Sequence, residues 1–159
     1  MTSPDPPARQ AAASLLDRLV DDRPVAPADA LLRDLGWLFN ATRSGVGTPD
    51  DLALAGSVLN FGVAPWAGRP ASADALRALA ESLRQAIVRF EPRLFGPSVV
   101  VRPELAPEAG APSAARALAF RIDAVGAADP SAAPICLHTE LDPDSGRVRR
   151  LEHRLGRGR

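Results

Sequence analysis

The sequence predicts an α+β fold: N-terminal helices packed on one face of a roughly four-stranded, mainly antiparallel sheet. Two observations predict it. Helical periodicity fills the first part of the chain, and two-residue alternation fills the last part. The clearest helical signal is Ser72 to Phe90, where Leu76, Leu79, Ala80, Leu83, Ile87 and Phe90 recur at steps of three and four and so share one face. Arg77, Glu81, Arg84, Gln85 and Arg89 occupy the rest of that surface. Ser72 is placed to cap the helix and Asp74 to favour its dipole. Pro92 ends the helix and pushes Glu91 towards extended geometry. A charged tripeptide, Glu91-Pro92-Arg93, is thereby set at the junction between helix and sheet, before a strand expected over Ser98 to Arg102.

Taken from the start, Met1 to about Gln10 reads as a disordered tail, with Pro4, Pro6 and Pro7 opposing regular structure. Residues 11–154 read as a single domain and residues 155–159 as a frayed tail. Ala11 to Asp22 is expected as a short helix, because Leu15, Leu16, Leu19 and Val20 form an apolar stripe. A second helix is expected from Ala28 to about Thr42, burying Leu31, Leu35, Leu38 and Phe39, with Leu32 at the edge. Pro49 to Leu52 could open a short helix, and Ser57 to Gly68 reads as an apolar loop with Phe61 and Trp66 tucked against the core. Pro103 to Arg116, rich in Pro and Ala, reads as a flexible surface loop.

The remaining strands follow from alternation. Leu118, Phe120 and Ile122 alternate with Ala119, Arg121 and Asp123; Ile135, Leu137, Thr139 and Leu141 alternate with Cys136, His138 and Glu140. Asp142 to Gly146 carries turn chemistry, with Asp and Ser to bond the backbone and Gly to take positive φ. Arg147 to His153 returns as an edge strand whose arginines discourage stray pairing. If the turn sets Leu141 opposite Arg147, His138 faces Arg150.

Composition narrows the function. The 159 residues carry 19 basic and 19 acidic side chains, so net charge gives no push towards nucleic acid or an anionic membrane. All the basic residues are Arg, a composition expected of a high-GC genome. A single Cys excludes an internal disulfide and a Cys-rich zinc site and fits a reducing compartment. The start lacks the apolar stretch of a signal peptide, and no apolar run is long enough to span a membrane.

The chemical candidates are thin. His138 and His153 have poor spacing for a metal, and Cys136 is expected to have no neighbouring His to activate it, so a small buried thiol is expected. Gly45-Val46-Gly47 lacks the Lys of a phosphate loop. Nothing places Glu91, Glu140 or Asp142 together as the paired carboxylates of a glycoside hydrolase. No catalytic, metal or cofactor-binding residue is therefore expected. Arg147, Arg149, Arg150, Arg154, Arg157 and Arg159 could touch phosphate, but no aromatic residues are interleaved for base stacking. Glu91-Pro92-Arg93 has two readings, a local ion pair at a corner or a rigid charge pair offered to another chain.

Ser57-Val58-Leu59-Asn60-Phe61-Gly62, then Ile87 to Leu94 with its Glu-Pro-Arg corner, then Val99-Val100-Val101, occur in an order that resembles the TssE family. Ser14 to Leu19, Arg33-Asp34-Leu35, Leu38 to Arg43, Phe120 to Ala124, Pro134 and Thr139 to Asp142 extend the resemblance over most of the chain. TssE proteins are baseplate subunits of the type VI secretion system, related to a wedge protein of contractile phage tails. The resemblance implies a non-enzymatic structural protein, cytoplasmic, at the baseplate on the inner membrane. It implies TssF and TssG as wedge partners, the TssB–TssC sheath as the assembly seeded by strand pairing, and no cofactor. It carries the partner-binding role onto Glu91, Pro92 and Arg93, with Glu91→Ala or Arg93→Ala expected to leave the domain folded. A lysozyme-like peptidoglycan hydrolase and a nucleic-acid binder working through the Arg-rich tail are the alternatives.

Overall fold

A computed structural model describes residues 26–45, 57–70, 72–104 and 117–153. The helix expected over Ala11 to Asp22, the short helix at Pro49, both tails and the loop up to Arg116 lie outside the described residues, except that Pro103 and Glu104 are described. Helix α1 spans Pro27–Asn40 and helix α2 spans Ala73–Phe90. Strands β1 (Val100–Glu104), β2 (Leu118–Ala124), β3 (Ile135–Leu141) and β4 (Val148–His153) follow. They form one antiparallel sheet in the order β1-β2-β3-β4, so the α+β architecture stands as expected.

Each helix forms where its apolar stripe can be covered. In α1, Leu31, Leu35, Leu38 and Phe39 are buried, and Pro27 occupies the first turn, where its missing N–H costs nothing. In α2, the Ser72 hydroxyl accepts the Ala75 N–H at 3.2 Å, while Leu79, Ala80, Leu83, Ala86 and Ile87 are buried. The helices touch each other and share one face of the sheet, α1 lying against β4 and α2 against β1. Between helices and sheet lies one core that includes Phe39, Phe120, Ile122, Leu137 and Leu141.

The opposite face of the sheet carries polar pairs. Arg121 bonds Asp123 at 3.0 Å, His138 bonds Glu104 at 2.8 Å and Arg150 meets Glu152 at 3.1 Å. Cys136 is buried within this layer.

Several local expectations are corrected. The first strand begins at Val100, because Gly96-Pro97-Ser98 forms a 3₁₀ turn in which the Ser98 hydroxyl donates to Phe95 O at 2.6 Å. The strand then includes Pro103, which an edge strand tolerates because one side of it needs no ladder donor. Helix α1 stops at Asn40, two residues before Thr42. Its side chain turns back, donating to Gly36 O at 2.9 Å and accepting the Val148 N–H at 3.0 Å. His138 pairs with Glu152 instead of Arg150, because Leu141 lies opposite Val148 instead of Arg147 and the register shifts by one more residue between Glu140 and Leu141. Trp66 is buried as expected, but Phe61 stays exposed, its ring edge-on to Phe90 at 5.3 Å.

The apolar loop has a specific anchor. Gly62 has φ +117°, and a Cβ there would lie 2.2 Å from Ala41 O. That close approach lets Val63 N–H donate to Ala41 O at 2.9 Å and Arg43 N–H donate to Val63 O at 2.8 Å. The end of α1 is thus laced to the loop that carries Phe61 to the corner.

Candidate functional site

The corner is built from the end of α2. Glu91 closes the helix by donating its N–H to Ile87 O at 2.9 Å, then leaves helical geometry at φ −118°, ψ 83°. Pro92 imposes the bend and stays exposed. Arg93 folds back over Glu91, with Nε donating to Oε1 at 2.7 Å and Nη2 to Oε2 at 2.5 Å. The Arg93 backbone N–H reaches Oε1 at 3.1 Å. The Glu91 side chain is only 5% exposed, whereas that of Arg93 is 30% exposed. The Arg93 backbone is tied down by the loop after β2, where Ala127 N–H donates to the Arg93 carbonyl oxygen at 2.8 Å.

A third element joins this pair. Arg93 Nη2 also donates to Asp34 Oδ2 of α1 at 2.8 Å, and Arg33 holds Asp34 Oδ1 at 3.0 Å through its own Nη2. The Glu91 carboxylate, with help from Asp34, holds the Arg93 guanidinium above its ordinary value, so it is always charged. Arg93 Nη1 makes no hydrogen bond among the described residues.

Above the ionic pair lies an open groove of about 360 Å³, walled by Trp37, Leu38, Phe61, Phe90 and Pro92. Trp37 is 52% exposed, with the Arg33 guanidinium 5.0 Å from its ring centroid. The structure therefore brings the expected Glu91, Pro92 and Arg93 together with Asp34, Trp37 and Phe61, which sequence reasoning did not assign to the site. Trp37 had a signal. It falls off the Leu31–Leu35–Leu38–Phe39 stripe, so it is a large aromatic on the wet side of an amphipathic helix. Asp34 had none, since it is linked to Arg93 across 59 positions.

The other chemical candidates resolve differently. Cys136 does have an imidazole beside it: Sγ lies 3.6 Å from His138 Nε2, and His138 Nδ1 lies 2.8 Å from Glu104. Residues two apart on a strand share a face, which adjacency in sequence conceals. Burial and the Asp123 carboxylate push the Cys136 thiol up, which is the opposite of nucleophile activation. Among the described residues no group of three His, Cys, Asp or Glu side chains could hold a metal ion. Nor is any described helix long and apolar enough to cross a membrane.

A family model described as baseplate wedge protein gp25 matches residues 26–131, which takes in both helices, the corner and the first two strands. The chain belongs to the gp25 baseplate wedge family. Membership agrees with the TssE resemblance and makes this a structural baseplate protein by family. No curated protein and no solved structure matches the chain.

Proposed function

We propose that this chain is a non-enzymatic wedge subunit of a type VI secretion baseplate. In this reading it stands on the cytoplasmic side of the inner membrane, joins TssF and TssG through its corner, and seeds the TssB–TssC sheath by strand pairing. Family membership supports the baseplate role. The observation that carries the docking reading is the groove over Glu91-Pro92-Arg93, where exposed Trp37, Phe61 and Pro92 surround a fixed guanidinium. Large exposed aromatics beside a rigid Arg are the side chains most enriched at binding hot spots.

The geometry divides the labour within the tripeptide. Glu91 is buried and engaged, so it serves from beneath, orienting Arg93. Arg93 Nη1, Pro92 and the two aromatic rings meet the partner. Strand pairing would use the outer edge of β1 or β4, the two ends of the sheet.

The test is co-purification with the wedge subunits, comparing wild type with Arg93→Lys. Lysine keeps a cation beside Glu91, so the fold should survive, but it loses the planar fork. Loss of TssF and TssG from the purified complex, with an unchanged circular dichroism spectrum, is the expected result. Full retention of both partners would remove the corner from the interface.

A further inference from the structure

Arg93 separates the corner groove from a second depression on its other flank. This one encloses about 240 Å³ above Leu31, Leu94 and Leu137, with Pro27, Leu32 and Ile135 around it. It falls below the range of about 300–1,000 Å³ typical of small-molecule sites. The polar side chains among its described lining residues are Arg93 and His153, and Arg93 already serves Glu91 and Asp34. A site without convergent polar groups does not orient a small ligand, but it suits the apolar side chains of a polypeptide.

The polypeptide nearest to hand is the chain itself. The described residues start at Ala26, and Pro27 and Ala28 line the depression. The described part of the chain therefore begins at its rim, and residues 1–25 precede it in sequence. Within them Leu15, Leu16, Leu19 and Val20 carry the spacing of one helical face. The stretch from Val20 to Ala26 reaches up to about 20 Å when extended, enough to bring that face back over the rim. The apolar lining of the depression and the apolar stripe of that segment complement each other.

We infer that Leu15–Val20 of the same chain seats its apolar face in this depression. The seated segment would cover one flank of the guanidinium and leave the other to the corner groove.

The test is methyl nuclear Overhauser spectroscopy on the isolated full-length chain. Contacts from Leu15, Leu16, Leu19 or Val20 to Leu32 or Ile135 within one molecule are the expected result. Three outcomes overturn the inference: no such contacts, contacts seen only between differently labelled copies, or contacts at the depression that arise only when wedge subunits are added. In the same chain, Leu16→Asp with Leu19→Asp should speed amide exchange in residues 28–32 and 135–137 by roughly tenfold while the middle of α2 stays protected. Unchanged exchange in those two stretches would also overturn it. Neither readout depends on partner docking, so each outcome stands apart from the baseplate reading.

Discussion

At the scale of single residues, Glu91 and Arg93 work as one unit. Arg93→Ala leaves a buried carboxylate with a backbone N–H as its hydrogen-bond partner among the described residues. It should destabilise the domain by about 2–4 kcal/mol. This differs from the sequence-based expectation that either alanine variant leaves the domain folded, because that expectation took both side chains to be offered to another chain, whereas Glu91 is buried within this one. Glu91→Leu with Arg93→Leu removes both charges together and should cost less than the two single changes combined, with a coupling of about 1–3 kcal/mol in urea titrations. Additive losses would mean that the pair does not act as a unit.

Asp142 gives the acid side of the stability curve. The Asp144 backbone N–H at 3.0 Å, and Arg149 at 2.6 Å, hold its carboxyl below the usual range. Its folded pKa therefore lies under its unfolded value of about 3.9. The stabilisation is complete above that value and disappears as pH falls through the folded one. Melting temperatures followed from about pH 5 down to pH 3 should drop less steeply in Asp142→Asn than in wild type.

At the scale of elements, the most exacting junction is between the end of α1 and the loop that follows it. Gly62→Ala would place a methyl group 2.2 Å from a backbone oxygen, at a φ of +117° that L side chains rarely adopt. Backbone on both sides would have to move, and the Val63–Ala41 and Arg43–Val63 bonds would go with it. A loss of about 2–4 kcal/mol is expected in thermal or urea unfolding. Far-UV circular dichroism of the surviving folded fraction should still report both helices. By contrast, Ser72→Ala removes one N-terminal cap bond on an exposed turn and should cost about 1 kcal/mol.

At the scale of the whole molecule, the sheet divides the surface. One face is covered by both helices, and the other is closed by its own charge pairs. The aromatic groove at the corner is the surface we propose for wedge contact. Trp37→Ala should leave stability within about 0.5 kcal/mol, since the ring is half exposed. It should weaken wedge assembly by about 2 kcal/mol or more, roughly thirtyfold in affinity, if the ring is an anchor. Unchanged affinity for the wedge subunits would show that the ring is a bystander.

The sequence by itself determined what depends on short-range periodicity and local sterics. It specified the apolar stripes of α1 and α2, the Ser72 cap, the proline stop after Phe90, the alternation of β2 and β3 and the turn at Gly146. Each is legible because neighbours within a few residues decide it. Only the tertiary structure decided the β3–β4 register, the burial of Glu91, the meeting of His138 with Glu104, and the reach of Arg93 to Asp34. Those depend on distances across elements far apart in the chain. An arginine beside a proline reads the same whether it faces water or a carboxylate 59 positions away, and packing alone chooses between them.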